Sequence, residues 1–449
     1  MEAHVSGGTF KSASKVAILV GNDNTGGDGG INAKATAYIS GGTFTGGNGK
    51  ALDAGTNTGN PSITGGTFNS DVSAYVAAGY KCEQKDDKYV IVDDNAYVVE
   101  VDGAGRYKTV GEAVAAAENS ATIRLLADTS EDVVIPSGKT LTLDLNGKTL
   151  TNASTHTIIN HGTLTLTGGG KVDNVTHARA PVYNDVGGTM TVGNVTVDRS
   201  KEAGSSATES GGNSWYYILN HGTMTIDGAT VRSNGCYSSL IENGWQSPGQ
   251  NTGKVNSVMT IKSGTFSVDT FASGGLYVLK NDDYGVMTVE GGTFTAGDTE
   301  GGVVLNWNEL TIKGGTFNGN GKPAIVNAVE ADGNGTPKYS YEKGSVLIKG
   351  GSFNGKIGNH SGYPNGKISA SGGSYDRELD ARYVAEGYAC VRDGSRYVVS
   401  ITDDETKAQV AAAIAEAEKV LTGSLSGETL AGLAGSELTP EQIAALKSG

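Results

Sequence analysis

Cysteine, proline, tryptophan and positive charge are scarce in this chain. It has three Cys, eight Pro and three Trp in 449 residues. Three thiols, Cys82, Cys236 and Cys390, are too few and too odd in number for a disulfide framework. Cys82 and Cys390 hold matching places in two copies of one motif, so both read as small packing residues. No apolar run reaches the length of a membrane span. Lys and Arg total 34 against 48 Asp and Glu, a formal charge of −14. That balance argues against nucleic acid and anionic membrane as main partners and fits a solvated acidic surface. No export signal precedes the first repeat, which is entered by Gly7. The expectation is a piece of a longer protein, with any secretion signal outside it.

Glycine is what the chain has in excess, 69 residues, and without the strict three-residue period of collagen. The sequence Gly-Gly-Thr-Phe, or a close variant, ends at Phe10, Phe44, Phe68, Phe266, Phe294, Phe317, Phe353 and Tyr375. The gaps are 34 and 24 residues in the first group, then 28, 23, 36 and 22 in the second. Recurrence on that scale marks a repeat protein. The glycines end short apolar-alternating runs, where tight turns need positive φ.

A longer repeat sets the domain plan. Tyr75, Gly79, Tyr80, Cys82 and Tyr89 recur 308 residues later as Tyr383, Gly387, Tyr388, Cys390 and Tyr397. Each copy follows the last Gly-Gly-Thr-Phe motif of its group and reads as a C-terminal cap on an open stack. An opening cap is visible at 106–128. Thr109 with Glu112 three residues on forms a capping box, a helix-forming run covers Ala113–Glu118, and a strand starts around Ile123. The plan is a first partial array over 1–92, a complete array over 96–402, and a tail over 403–449. The tail patterns as helix, with Val410, Ile414, Ala417 and Leu421 on one stripe and Thr439–Pro440 opening a second segment.

Within the second array the rungs overlay. Aliphatic-Thr-aliphatic strands recur at Leu164–Leu166, Met190–Val192, Met224–Ile226, Met259–Ile261, Met287–Val289 and Leu310–Ile312. Val346–Ile348 and Ile368–Ala370 continue them. The aliphatics face inward and Thr outward. One Thr per rung, ending before Leu347, reflects strand propensity rather than an ice-binding array. Ahead of each strand stands an Asn: Asn160, Asn184, Asn220, Asn243, Asn281, Asn306, Asn327 and Asn359. In coils stacked about 4.8 Å apart such amides can bond along the axis as a ladder.

These features together resemble the right-handed parallel β-helix of the pectin-lyase-like superfamily. The opening helix and strand, the stacked Asn and the Gly-Gly-Thr-Phe turn carry the likeness over roughly 98–402, with a partial copy over 1–92. The chain is also similar to β-helix modules in large secreted or wall-attached proteins of Gram-positive bacteria. The resemblance implies an all-β solenoid with a helical N-cap on the second array and a helical C-terminal tail. It also implies a secreted or cell-surface location. One fold hosts many functions, so function must come from the site.

Lyases of that superfamily use Ca²⁺-binding acids and a basic proton abstractor, and its hydrolases use paired carboxylates. The acids available here are Asp282 and Asp283, directly after Asn281, and Asp185 after Asn184, three rungs away. No Arg or Lys clearly shares their column, no motif supports Ca²⁺, and Asp282–Asp283 reads first as a turn. His161, His221 and His360 each follow a ladder Asn, a repeated structural preference rather than one catalytic or metal-binding His. Trp245, Trp307 and the run Trp215, Tyr216, Tyr217 gather near one edge, where aromatic faces suit sugar or protein contacts. The expectation is a non-enzymatic extracellular module, a stalk or adhesin-like surface for a glycan or host protein, with no cofactor. The alternative is a polysaccharide lyase or glycoside hydrolase using Asp282, Asp283 or Asp185.

Overall fold

The computed structural model describes residues 2–21, 35–55, 59–94, 97–202, 215–233, 238–246, 251–269, 276–297, 301–328 and 344–402. Cys236, the helical tail read over 403–449 and residues 329–343 lie outside them. The chain divides into two compact units, Met1–Ala117 with Thr122–Asp128, and Glu118–Ala121 with Thr129–Gly449. Both are built of stacked parallel strands, a β-helix-like architecture.

In the first unit, Glu2–Val5, Ala35–Thr45 and Gly59–Phe68 pair in parallel, so that Val5, Ile39 and Ile63 align. Phe10, Phe44 and Phe68 stack ring on ring at 4.9 and 4.8 Å. The stack ends in an antiparallel hairpin, Tyr80–Lys85 with Lys88–Asp93, whose second strand runs against Gly59–Phe68. The outermost strand carries Lys81, Glu83 and Lys85, with Lys81 to Glu83 at 2.7 Å. Charge on a terminal edge discourages further strand pairing. Further along the same unit a helix spans Val110–Ala116. Thr109 caps it by accepting from the Glu112 amide at 3.1 Å. The return bond of the expected box is shifted by one residue, because Glu112 accepts from the Lys108 amide at 3.0 Å instead of that of Thr109. Val110, Ala113 and Val114 are its buried face.

The second unit repeats a three-strand rung. One sheet of nine parallel strands runs from Val133–Ile135 to Ile357–Asn359 and carries the asparagines. A second column aligns Leu141, Leu164, Met190, Met224, Met259, Met287, Leu310, Val346 and Ile368, all buried. A third aligns Leu150, Val172, Val197, Val231, Phe266, Phe294, Phe317, Phe353 and Tyr375. The five aromatic members stack at 4.9 to 5.2 Å. The motif's first glycine permits close approach of rungs: a Cβ on Gly314 would lie 2.3 Å from the Glu290 carbonyl oxygen of the rung before. The second, Gly315, takes φ +100°, a conformation that favours glycine. The unit closes as the first one does, with Ala381–Tyr383 and the antiparallel strands Tyr388–Asp393 and Arg396–Ile401.

Candidate functional site

Seven hydrogen bonds join the eight asparagine side chains. Each Nδ2, from Asn160 to Asn327, donates to the Oδ1 of the next Asn at 2.7 to 2.9 Å. The same Nδ2 groups also donate to carbonyls of their own turns, for example Asn220 to Gly222 at 3.1 Å. Asn160 to Asn327 are fully buried. This ladder fixes the register of everything beside it.

Strand alternation turns the residue before each Asn away from the amide column. That outward column reads Val134, Ile159, Tyr183, Leu219, Glu242, Lys280, Leu305, Val326 and Gly358. Its only two charges, Glu242 and Lys280, are direct partners on adjacent rungs, and they are 3% and 7% exposed. Lys280 Nζ lies 3.1 Å from Asp282 Oδ2 and 4.5 Å from the centre of the Trp307 ring. Around Trp307 pack Tyr277, Leu305, Val326 and Ala328.

Asp282 and Asp283 are buried. They sit in a tight turn in which the Gly285 amide donates to the Asp282 carbonyl at 2.9 Å and Tyr284 has φ +60°. The Trp245 amide donates to the Asp283 carbonyl at 3.0 Å, an antiparallel bridge between neighbouring turns. Gly244 makes that approach possible, since a Cβ there would stand 2.6 Å from the Asp283 oxygen. Burial first, and then the Asp282 charge, raise the Glu242 carboxyl well above the usual carboxylate range, with Lys280 opposing. Glu242 therefore holds its proton more strongly than an ordinary carboxyl, beside the Lys280–Asp282 ion pair. Burial, then Glu242 and Asp282, likewise push the Tyr216 hydroxyl up.

Asp185 belongs to a different group. It accepts from the Tyr183 hydroxyl at 2.6 Å and faces His161 Nδ1 at 3.1 Å. Tyr183 also touches His221 Nδ1 at 3.2 Å, and His221 stacks flat on Trp245 at 3.7 Å. Burial lowers His221 to about 4, against the pull of Asp185. His360 stands at the far end of the sheet. Of the aromatic candidates, Trp215, Trp245 and Trp307 are half-buried, but Tyr216 and Tyr217 are covered. Tyr217 spends its hydroxyl on Glu202 at 2.6 Å, so it offers no recognition surface.

The structure thus brings together Asp282, Asp283, Trp245 and Trp307, and connects Asp185 to Trp245 only through Tyr183 and His221. The candidates marked by the sequence stand after the asparagines, whereas Glu242 and Lys280 stand before them. The signal was present: in a column otherwise apolar, aromatic or glycine, two opposite charges occupy consecutive rungs. Among the described residues no three His, Cys, Asp or Glu side chains are placed to hold a metal ion. No helix among them is long and apolar enough to cross a membrane. Compared with protein-family models, with curated proteins and with solved structures, the chain finds no match.

Proposed function

We propose that the protein is a non-catalytic binding module displayed outside the cell. A rigid stack of rungs would present one aromatic edge, around Trp245 and Trp307, to a glycan or a host protein. One observation carries this reading. The acids near that edge are buried, with Asp282 at 0% and Glu242 at 3% exposure, whereas the two indoles stay partly open. Carboxylates that substrate cannot reach make poor general acids, since proton transfer needs hydrogen-bond distance. Half-open indoles suit stacking on apolar sugar faces or capture of a side chain. Lys280 beneath Trp307 adds charge to the ring face and holds its plane.

The runner-up is a lyase or hydrolase built on Glu242 and Asp282. Its support is a buried acid held above the usual carboxylate range with a second carboxyl group beside it, the kind of pair from which glycoside hydrolysis draws its acid and its base. A glycan array combined with a polysaccharide degradation assay separates the two. Binding without turnover, weakened about tenfold or more by Trp307→Ala, is the expected result. Turnover that disappears in Asp282→Asn would replace the binding reading with the enzymatic one.

A further inference from the structure

Among the described residues, the last strand of the sheet that carries the ladder, Ile357–Asn359, has Ile325–Asn327 as its only strand neighbour. Lys356 and His360 bond back to that neighbour: the Lys356 carbonyl accepts from Ala324 at 2.9 Å, and the His360 amide donates to Asn327 at 2.8 Å. Alternation then turns the backbone groups of Ile357 and Asn359 the other way. The Asn359 amide donates to the Tyr383 hydroxyl at 3.4 Å. Among the described residues, the amide and carbonyl of Ile357 and the carbonyl of Asn359 turn away from the neighbouring strand and have no partner. Ile357 is 7% exposed, and a buried unpaired backbone group is costly.

A cleft of about 400 Å³ lies against this edge, lined among others by Lys356, Gly358, His360, Arg377, Asp380 and Tyr383. Gly358 helps to open it. Each other member of the outward column has a side chain where Gly358 has none. The cleft also departs from the chain's overall charge of −14. Three cations, Lys356, Arg377 and Arg382, face two carboxylates, Glu378 and Asp380. Arg377 is held by Asp376 at 3.0 Å and Arg382 by Asp380 at 2.7 Å. Lys356 pairs with no carboxylate among the described residues and is exposed.

We propose that this cleft takes an extended acidic peptide segment of a partner protein, added as a further strand to the Ile357–Asn359 edge. Main-chain bonds from the peptide would satisfy Ile357 and Asn359, which is how strand addition gains affinity without sequence-specific contacts. An acidic side chain would reach Lys356, and the side chain two residues along, on the same face, would enter the space over Gly358. The site is separate from the aromatic edge, and it gives the binding module a second partner class.

Titration by calorimetry and amide NMR tests the idea on the full chain. The probes are acetyl-Thr-Glu-Val-Glu-Val-Thr-amide, its Glu→Lys counterpart, and the acidic peptide N-methylated at alternate residues. The acidic peptide is expected to shift the Ile357 and Asn359 amides. Both other peptides are expected to bind about tenfold or more weakly, or not at all. Gly358→Leu and Lys356→Glu should each weaken the acidic peptide about tenfold. The backbone at Gly358 has room for a Cβ, whose nearest atoms would be at 3.7 and 3.8 Å. No shift up to about 1 mM peptide overturns the proposal. So does equal binding of the N-methylated peptide, which would assign the cleft to side-chain or saccharide recognition. Trp307→Ala should leave peptide binding intact, so loss of either surface reads separately.

Discussion

At the scale of single residues, two kinds of buried polar group decide stability. The ladder amides are fully satisfied, so deleting one leaves several partners unpaired. Asn220 accepts from Asn184 at 2.8 Å and donates to Asn243 at 2.7 Å and to Gly222 at 3.1 Å. Asn220→Ala is expected to cost about 2–4 kcal/mol in urea denaturation, because each orphaned buried group carries its own desolvation penalty. Glu242 makes a different prediction. Its folded-state pKa lies above the unfolded value, so its contribution is complete below the ordinary carboxylate range and is lost as pH rises toward the raised value. Glu242→Gln keeps the shape and removes the titration. The variant should melt higher than the native chain at pH 8 and show a flatter profile on the alkaline side; equal profiles would mean that Glu242 is ionised in the fold. His221 works in the opposite sense. Its pKa is lowered to about 4 from 6.5, so stability is present above 6.5 and is lost as pH falls through 4. His221→Phe keeps the stack on Trp245 and should remove that acid loss.

At the scale of the rung, glycine and phenylalanine act as a pair. The first glycine lets one rung touch the next, the second turns the chain, and the ring then drops into the column. Gly314→Ala isolates the first role, because the clash is with the Glu290 carbonyl oxygen at 2.3 Å and only Gly315 carries the positive φ. It should destabilise by more than about 1 kcal/mol, beyond a simple entropy effect. Phe317→Ala, with rings 5.0 and 4.9 Å on either side, should cost about 3–5 kcal/mol as a core cavity. The motif could be read from the sequence because both glycines are demanded by backbone geometry, which no other residue meets cheaply. The same third column is filled upstream by Leu150, Val172, Val197 and Val231. Those rungs carry no Gly-Gly-Thr-Phe and could be placed only through their Thr-rich strands and asparagines.

At the scale of the molecule, each rung touches chiefly the rungs before and after it, so stability sums along the stack. Amide exchange should therefore be slowest at Asn220, Asn243 and Asn281, which have several neighbours on each side, and faster toward Asn160 and Asn359. A uniform rate along the ladder would show instead that the stack opens only as a whole. The two closing hairpins follow one plan, 308 residues apart in sequence. A parallel stack has no internal reason to stop, and an antiparallel hairpin with a charged outer strand supplies one.

The sequence by itself determined the stacking: period-two alternation, recurring glycine pairs and one asparagine per coil are local demands that each rung meets alone. It also marked Asp282, Asp283, Trp245 and Trp307 as neighbours of the ladder. Only the tertiary structure decided what those residues face. Whether Glu242 keeps its proton, whether Asp282 is reachable, and whether the last strand lies open depend on rungs more than twenty residues away in the chain. Burial and electrostatic coupling are properties of the assembled column, and one coil's sequence does not contain them.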